Sequence, residues 1–169
     1  MRAIFPASFD PITNGHLDIA TRASRLFDDL VVAVYDTPAK PLLFSLEERV
    51  ALARASTAHL PNVRVEQYSG LTVEFARRVG ARVIVRGLRA ASDFDWEYLQ
   101  ATANHELAPE LEIVLLMSHS KWSFISSTLI KEIVQLGGDV ARFVPPPVAE
   151  RLHRERRSSP STPSSYSTS

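Results

Sequence analysis

The chain has 169 residues, 45% hydrophobic and 22% charged, and its 19 Lys+Arg balance 19 Asp+Glu. That length supports one domain with a sizeable core, and the absence of Cys excludes disulfides, thiolate zinc sites and thiol catalysis. No apolar run approaches the roughly 20 residues that cross a bilayer, so no membrane partner is expected, and no basic-then-apolar leader precedes the first strand, so no secretion signal is expected.

Arg2-Ala3-Ile4-Phe5 predicts a short buried strand, then a tight polar loop Pro6-Ala7-Ser8-Phe9-Asp10-Pro11 and a helix over about Gly15–Phe27. Val31–Tyr35 is a second strand. Ser45-Leu46-Glu47-Glu48 reads as a capping box opening a helix to about His59. Val63–Tyr68 is a third strand, and the helix Leu71–Val79 is stopped by a left-handed cap at Gly80. Arg82–Val85 is a fourth strand, Asp93–Leu107 a helix and Leu111–Met117 a fifth strand. A helix from about Ser127 to Leu136 ends at Gly137-Gly138, and Pro147 starts a short helix through about Arg154. Ser158–Ser169 is nearly all Ser, Thr and Pro, too little apolar surface to offset ordering entropy. The expected organisation is therefore one domain over 1–157 and a disordered tail over 158–169. Strands of continuous Val, Ile and Leu separated by helices predict an α/β fold, a doubly wound, Rossmann-like parallel sheet covered on both faces. Such sheets bind ligands beyond the carboxyl ends of their strands.

The residues at those ends favour anions. A strand, a loop and a helix start at Thr13-Asn14-Gly15-His16 combine free N–H groups, the positive end of a helix dipole and an imidazole. Ser123, Ser126, Ser127 and Thr128 crowd a second helix start, where plain capping needs a single hydroxyl. Arg86-Gly87-Leu88-Arg89, placed just after the fourth strand, sets two guanidinium forks around a glycine, which suits phosphate. Lys40 sits in a loop stiffened by Pro38 and Pro41. Arg151, Arg154, Arg156 and Arg157 near the C-terminus face only Glu155, so the first 150 residues are mildly acidic. That balance argues against nucleic acid, whose affinity comes from many phosphate contacts. The apolar residues Phe94, Trp96, Tyr98 and Leu99 predict a helix packed in the core, with a subunit contact second. P-loop, dinucleotide-fingerprint and zincin motifs are absent, and His59, His105, His119 and His153 lack ligand spacing.

Over about residues 2–152 the chain resembles the bacterial phosphopantetheine adenylyltransferase family of nucleotidyltransferases. The resemblance rests on Phe9-Asp10-Pro11-Ile12-Thr13-Asn14-Gly15-His16, Leu46-Glu47-Glu48-Arg49, Arg86-Gly87-Leu88-Arg89 and Trp122-Ser123-Phe124-Ile125-Ser126-Ser127-Thr128. It implies transfer of the adenylyl group of ATP to 4′-phosphopantetheine, giving dephospho-coenzyme A and pyrophosphate. Its ATP positions fall on Ser8, Phe9, His16, Gly87, Leu88, Arg89, Glu97, Trp122, Ser123, Phe124, Ile125, Ser126, Ser127 and Thr128. Its acceptor positions fall on Ser8, Lys40, Thr72 and Arg86, and His16 is the implied transition-state stabiliser. Mg2+, a cytoplasmic location and a homohexamer are also implied, with no metal-binding residue of the chain's own. Ser8 replaces the family's usual Thr, Thr72 a larger apolar residue, Asp93-Phe94-Asp95-Trp96-Glu97 a commoner D-F-E-Y-E, and Ser118-His119-Ser120-Lys121 is an unusual loop. Competing readings are a transferase acting on nicotinate mononucleotide or a polyol phosphate, and a non-catalytic ATP sensor.

Overall fold

The element order is β1 (Arg2–Ala7), α1 (Asn14–Leu26), β2 (Asp29–Tyr35), α2 (Leu46–Thr57), β3 (Val63–Tyr68), α3 (Thr72–Arg78), β4 (Val83–Leu88), α4 (Ala91–Leu107), β5 (Glu112–Met117), α5 (Ser127–Gln135) and α6 (Pro146–Ser158). The computed structural model describes residues 1–158, without the side chains of Ser92 and residues 155–158; of the expected tail, residues 158–169, Ser158 ends α6 and the rest lies outside the described residues. All strand pairs are parallel, in the order β3-β2-β1-β4-β5. The doubly wound sheet is thus borne out. Its strand order reverses between β1 and β4, and a crevice opens at the carboxyl ends of these strands.

Two apolar layers hold the sheet. Ile4, Val31, Ala33 and Ile84 face Val73, Phe75 and Ala76 of α3, while Ala3, Phe5, Val32 and Val85 face Ile19, Ala20 and Ala23 of α1, Val50 of α2 and Ile130 of α5. Val31, Val32, Ala33 and Val34 of β2 are all fully buried, as a strand covered on both faces requires. Each of the three valines contributes roughly 1.5–3 kcal/mol on burial. The capping box at Ser45 and Glu48 forms as expected, and Gly80 adopts φ +67° after α3, a conformation that favours glycine.

Two expectations are corrected. Arg86, Gly87 and Leu88 do not follow β4 but complete it, pairing with Leu115, Leu116 and Met117 of β5. A Cβ on Gly87 would lie 3.2 Å from Ile19, so α1 approaches the strand end closely there. The aromatic helix is not core. Phe94, Trp96, Tyr98 and Leu99 on α4 are 47–61% exposed, and of its described side chains only Glu97 is buried. No side chain caps the start of α4, and this chain alone leaves its apolar side chains in water.

Candidate active site

Thr13 is the N-cap of α1 and forms a reciprocal capping box with His16. Its hydroxyl accepts the His16 N–H at 3.3 Å, and its own N–H donates to His16 Nδ1 at 3.1 Å. Because Nδ1 accepts, the neutral ring carries its proton on Nε2. Phe9, fully buried, sets its ring edge-on to the imidazole with centroids 5.1 Å apart, and Phe5 lies at 6.3 Å. Phe9 holds a backbone φ of 47°, a strained value for a bulky residue. That strain is spent where the imidazole is aimed. Burial, reinforced by Arg89 and Arg86, lowers the His16 pKa from 6.5 to about 4. At neutral pH the site therefore offers an uncharged Nε2–H donor in a fixed orientation.

This has a consequence for stability. Between pH 6.5 and about 4 the unfolded chain binds the proton that folded His16 refuses, so stability present above pH 6.5 falls as pH falls through that window. The cost is on the order of 3 kcal/mol at 1.36 kcal/mol per unit. An NMR titration of the unliganded protein should give a His16 midpoint near 4, and bound polyphosphate should raise it. A midpoint near 6.5 without ligand would disprove the buried neutral state.

His16 borders a cavity of about 420 Å³ over the β1/β4 crevice. Of the expected site residues, Ser8, Lys40, Arg86, Gly87, Arg89, Glu97, Ile125, Ser126, Ser127 and Thr128 line it with His16. Phe9, Leu88, Thr72, Trp122, Ser123 and Phe124 do not. Phe9 lies behind His16, Leu88 accepts the Ser118 N–H through its carbonyl, and Phe124 turns its edge to Phe143. Lys121 stands over the Trp122 ring. Thr72 bonds the Tyr68 hydroxyl at 3.0 Å and lines a side pocket of about 30 Å³ with Gln100 and Asn104, which shares Arg86 and Glu97 with the main cavity.

The cavity's cations are already oriented by carboxylates. Arg86 forms a two-point pair with Glu97 at 2.8 and 2.9 Å and donates to the Pro6 carbonyl at 3.1 Å. Arg89 pairs with Asp93 at 3.1 and 3.3 Å and reaches the Ile125 carbonyl at 3.4 Å. Lys131 sits 3.1 Å from Asp10. Among the described residues Lys40 is the one cavity cation with no carboxylate partner. The arginine forks are thus preset by Glu97 and Asp93 rather than open in solution, a positioning that lowers the entropy of gripping an anion.

The two helix starts contribute unequally. At α1 the Asn14 N–H goes to the Phe143 carbonyl and the His16 N–H to Thr13, so among the described residues the Gly15 N–H is the one left in that turn. At α5, Ser126 caps Leu129, Ser127 donates to the Pro11 carbonyl at 2.8 Å, and Ser123 donates to the Ser120 carbonyl. The hydroxyl cluster therefore largely satisfies backbone groups. Among the described residues the N–H groups of Ser127 and Thr128 and the Thr128 hydroxyl remain at the cavity wall. Asp10, Asp93 and Lys131 also line the cavity, and the motifs did not single them out as site residues. Their partners lie across loops, and only the i,i+4 spacing of Arg89 and Asp93 carried a local signal.

A parallel sheet whose reversal point carries a neutral histidine, two helix starts and preset cations is built to hold a polyphosphate against a second anion. The cytidylyltransferase-like family model matches residues 4–133, which places the chain among the nucleotidyltransferases. The fold agrees: a candidate nicotinate-nucleotide adenylyltransferase from Vibrio parahaemolyticus superposes with a TM-score of 0.71 at 21% identity, over 91% of this chain and 92% of that one. The phosphopantetheine adenylyltransferase of Roseiflexus sp. (strain RS-1) is 58% identical over 90% of this chain and 95% of its own length. That of Herpetosiphon aurantiacus is 57% identical over 89% and 91%. The chain belongs to the phosphopantetheine adenylyltransferase family.

Proposed function

We propose that the chain transfers the adenylyl group of ATP to 4′-phosphopantetheine, releasing pyrophosphate and giving dephospho-coenzyme A. The observation that carries this reading is the meeting of Lys40 and Arg86 with His16 and the α5 start in one cavity. An oxygen of the acceptor phosphate attacks the α-phosphorus, the bond from that phosphorus to the β-bridging oxygen breaks, and pyrophosphate leaves. The nucleophile is already an anion, so no side chain has to remove a proton. Catalysis then reduces to in-line positioning and stabilisation of charge. Lys40 and Arg86 hold the acceptor phosphate, with Ser8 beside it. Arg89 and the Ser127 and Thr128 N–H groups take the β- and γ-phosphates, and His16 Nε2–H donates to an α-phosphate oxygen as its charge grows. Thr72 and the side pocket receive part of the pantetheine arm, and Glu97 keeps Arg86 aimed.

Mg2+ fits this site as a phosphate-borne ion that supplies charge neutralisation. Among the described residues no group of three His, Cys, Asp or Glu could cage it, and Asp10, Asp93 and Glu97 are engaged by cations. Phosphate oxygens and water would complete its shell. The decisive experiment is pyrophosphate release with ATP and a panel of acceptors. Release with 4′-phosphopantetheine alone is expected. Release with nicotinate mononucleotide or a polyol phosphate would reassign the acceptor, and ATP binding without release would make the chain a sensor.

We place the enzyme in the cytoplasm; no helix among the described residues is long and apolar enough to cross a membrane. The exposed apolar side chains of α4 support a subunit contact, and the family resemblance makes the assembly a homohexamer. Light scattering should give a mass about six times the 18.8 kDa chain, and Trp96→Glu should lower it. A monomeric native protein would refute the assembly.

A further inference from the structure

Lys40 lies on a segment, residues 36–44, that runs from the end of β2 to the cap of α2. Among the described residues, the backbone of residues 37–42 donates no hydrogen bond to the rest of the protein. Both ends of the segment are gripped by buried charged side chains, Arg49 of α2 and Asp10 of the β1–α1 loop, and each ties the segment to that loop. At the first end Arg49, fully buried, donates to the carbonyls of Tyr35 at 2.6 Å, Asp36 at 2.9 Å and Ser8 at 2.8 Å. At the second end the Asp10 carboxylate, 1% exposed, accepts the Leu43 and Phe44 N–H groups at 2.9 Å each. It also holds Lys131, which donates to the Pro41 carbonyl at 2.7 Å.

We propose that Arg49 and Asp10 are positioning residues that clamp the two ends of this segment to the β1–α1 loop and thereby set Lys40 relative to His16. The proposal rests on the acceptor role given to Lys40. Arg49 does not line the cavity, so it acts through Ser8 and Asp36. Its Nε is buried without a hydrogen-bond partner. A well-packed apolar side chain would avoid that desolvation cost, whereas a guanidinium bridging three carbonyls fixes the relative position of two loops. Asp10 does the same with the opposite charge. Its two oxygens accept backbone N–H groups from one loop while its own backbone belongs to another.

The test is steady-state kinetics on the full chain with ATP and 4′-phosphopantetheine, for Asp10→Asn, Arg49→Met, Arg49→Lys, Lys40→Met and each combined with Lys40→Met. Asp10→Asn keeps shape but turns an amide N–H toward the Leu43 N–H and Lys131. It and Arg49→Met should raise the acceptor KM about 10-fold, below the roughly 100-fold that a 1 Å misplacement can cost, and change the ATP KM by less than about twofold. Arg49→Lys, which keeps a cation among the carbonyls, should recover part of the loss. Added to Lys40→Met, either clamp variant should change the acceptor KM by less than about twofold, because both act through one side chain. Amide exchange at Leu43 and Phe44 should quicken in Asp10→Asn even without substrate. Additive effects with Lys40→Met, or parallel rises in both KM values, would overturn the clamp and leave the acceptor site standing. An acceptor KM untouched by Lys40→Met would overturn the acceptor reading, and the clamp with it.

Discussion

His16→Ala should lower kcat by about 10²–10³, the scale for removing one preorganised transition-state donor, while the ATP Kd changes far less. The reason is geometric. Thr13 N–H fixes Nδ1 as the acceptor side of the ring, and Phe9 and Phe5 restrict its tilt. The Nε2–H thus stands ready before the substrate arrives, and no reorganisation is needed as charge grows on the α-phosphate. A neutral ring held near pKa 4 binds ground-state ATP weakly through that one bond, so its effect is concentrated in the transition state. The pH profile of kcat/KM, which reports the free enzyme, should also show no His16 titration near pH 6.5. Steady-state kinetics with calorimetric ATP binding checks this, and an ATP affinity falling in step with kcat would make His16 a binding residue instead.

The fold was legible wherever local chemistry repeats. Val63–Tyr68 matches β3 residue for residue, and the Ser45/Glu48 box marks the start of α2 because hydroxyl and carboxylate sit at cap and third position. The equivalent box at Thr13 escaped notice because an imidazole replaces the usual carboxylate. Arg86 and Gly87 look like loop residues, yet β4 continues through them because β5 runs alongside to Met117. The exposed face of α4 shows a further limit: apolar composition says that Phe94, Trp96 and Tyr98 need cover, not which chain supplies it. Of the site, His16, Lys40, the arginines and the α5 start were readable as anion-binding types at strand ends. The Arg86–Glu97 and Lys131–Asp10 pairs were not, since they join residues separated by 11 and 121 positions.

Arg86→Met should weaken 4′-phosphopantetheine binding by about 1.5–3 kcal/mol, the range for a charge-assisted hydrogen bond, and it should also lower Tm. The second effect follows from Glu97, which is 8% exposed and takes its two-point bond from Arg86. Without that partner it is a buried carboxylate with no other cation partner among the described residues, a costly state. Lys40→Met should weaken the acceptor to a similar extent and leave Tm unchanged, since Lys40 is exposed and has no carboxylate partner among the described residues. The two substitutions together should lose less than the sum of their separate losses, because both cations act on one phosphate. Adding Glu97→Gln to Arg86→Met separates the two roles of the arginine. The neutral amide should restore much of the lost Tm but none of the acceptor affinity. Calorimetry with ATP and with 4′-phosphopantetheine, beside thermal melts, gives all of these values. Recovery of acceptor binding by Glu97→Gln would reduce Arg86 to a support for Glu97. Equal losses for the two ligands would end the division of the cavity into an acceptor side and a nucleotide side.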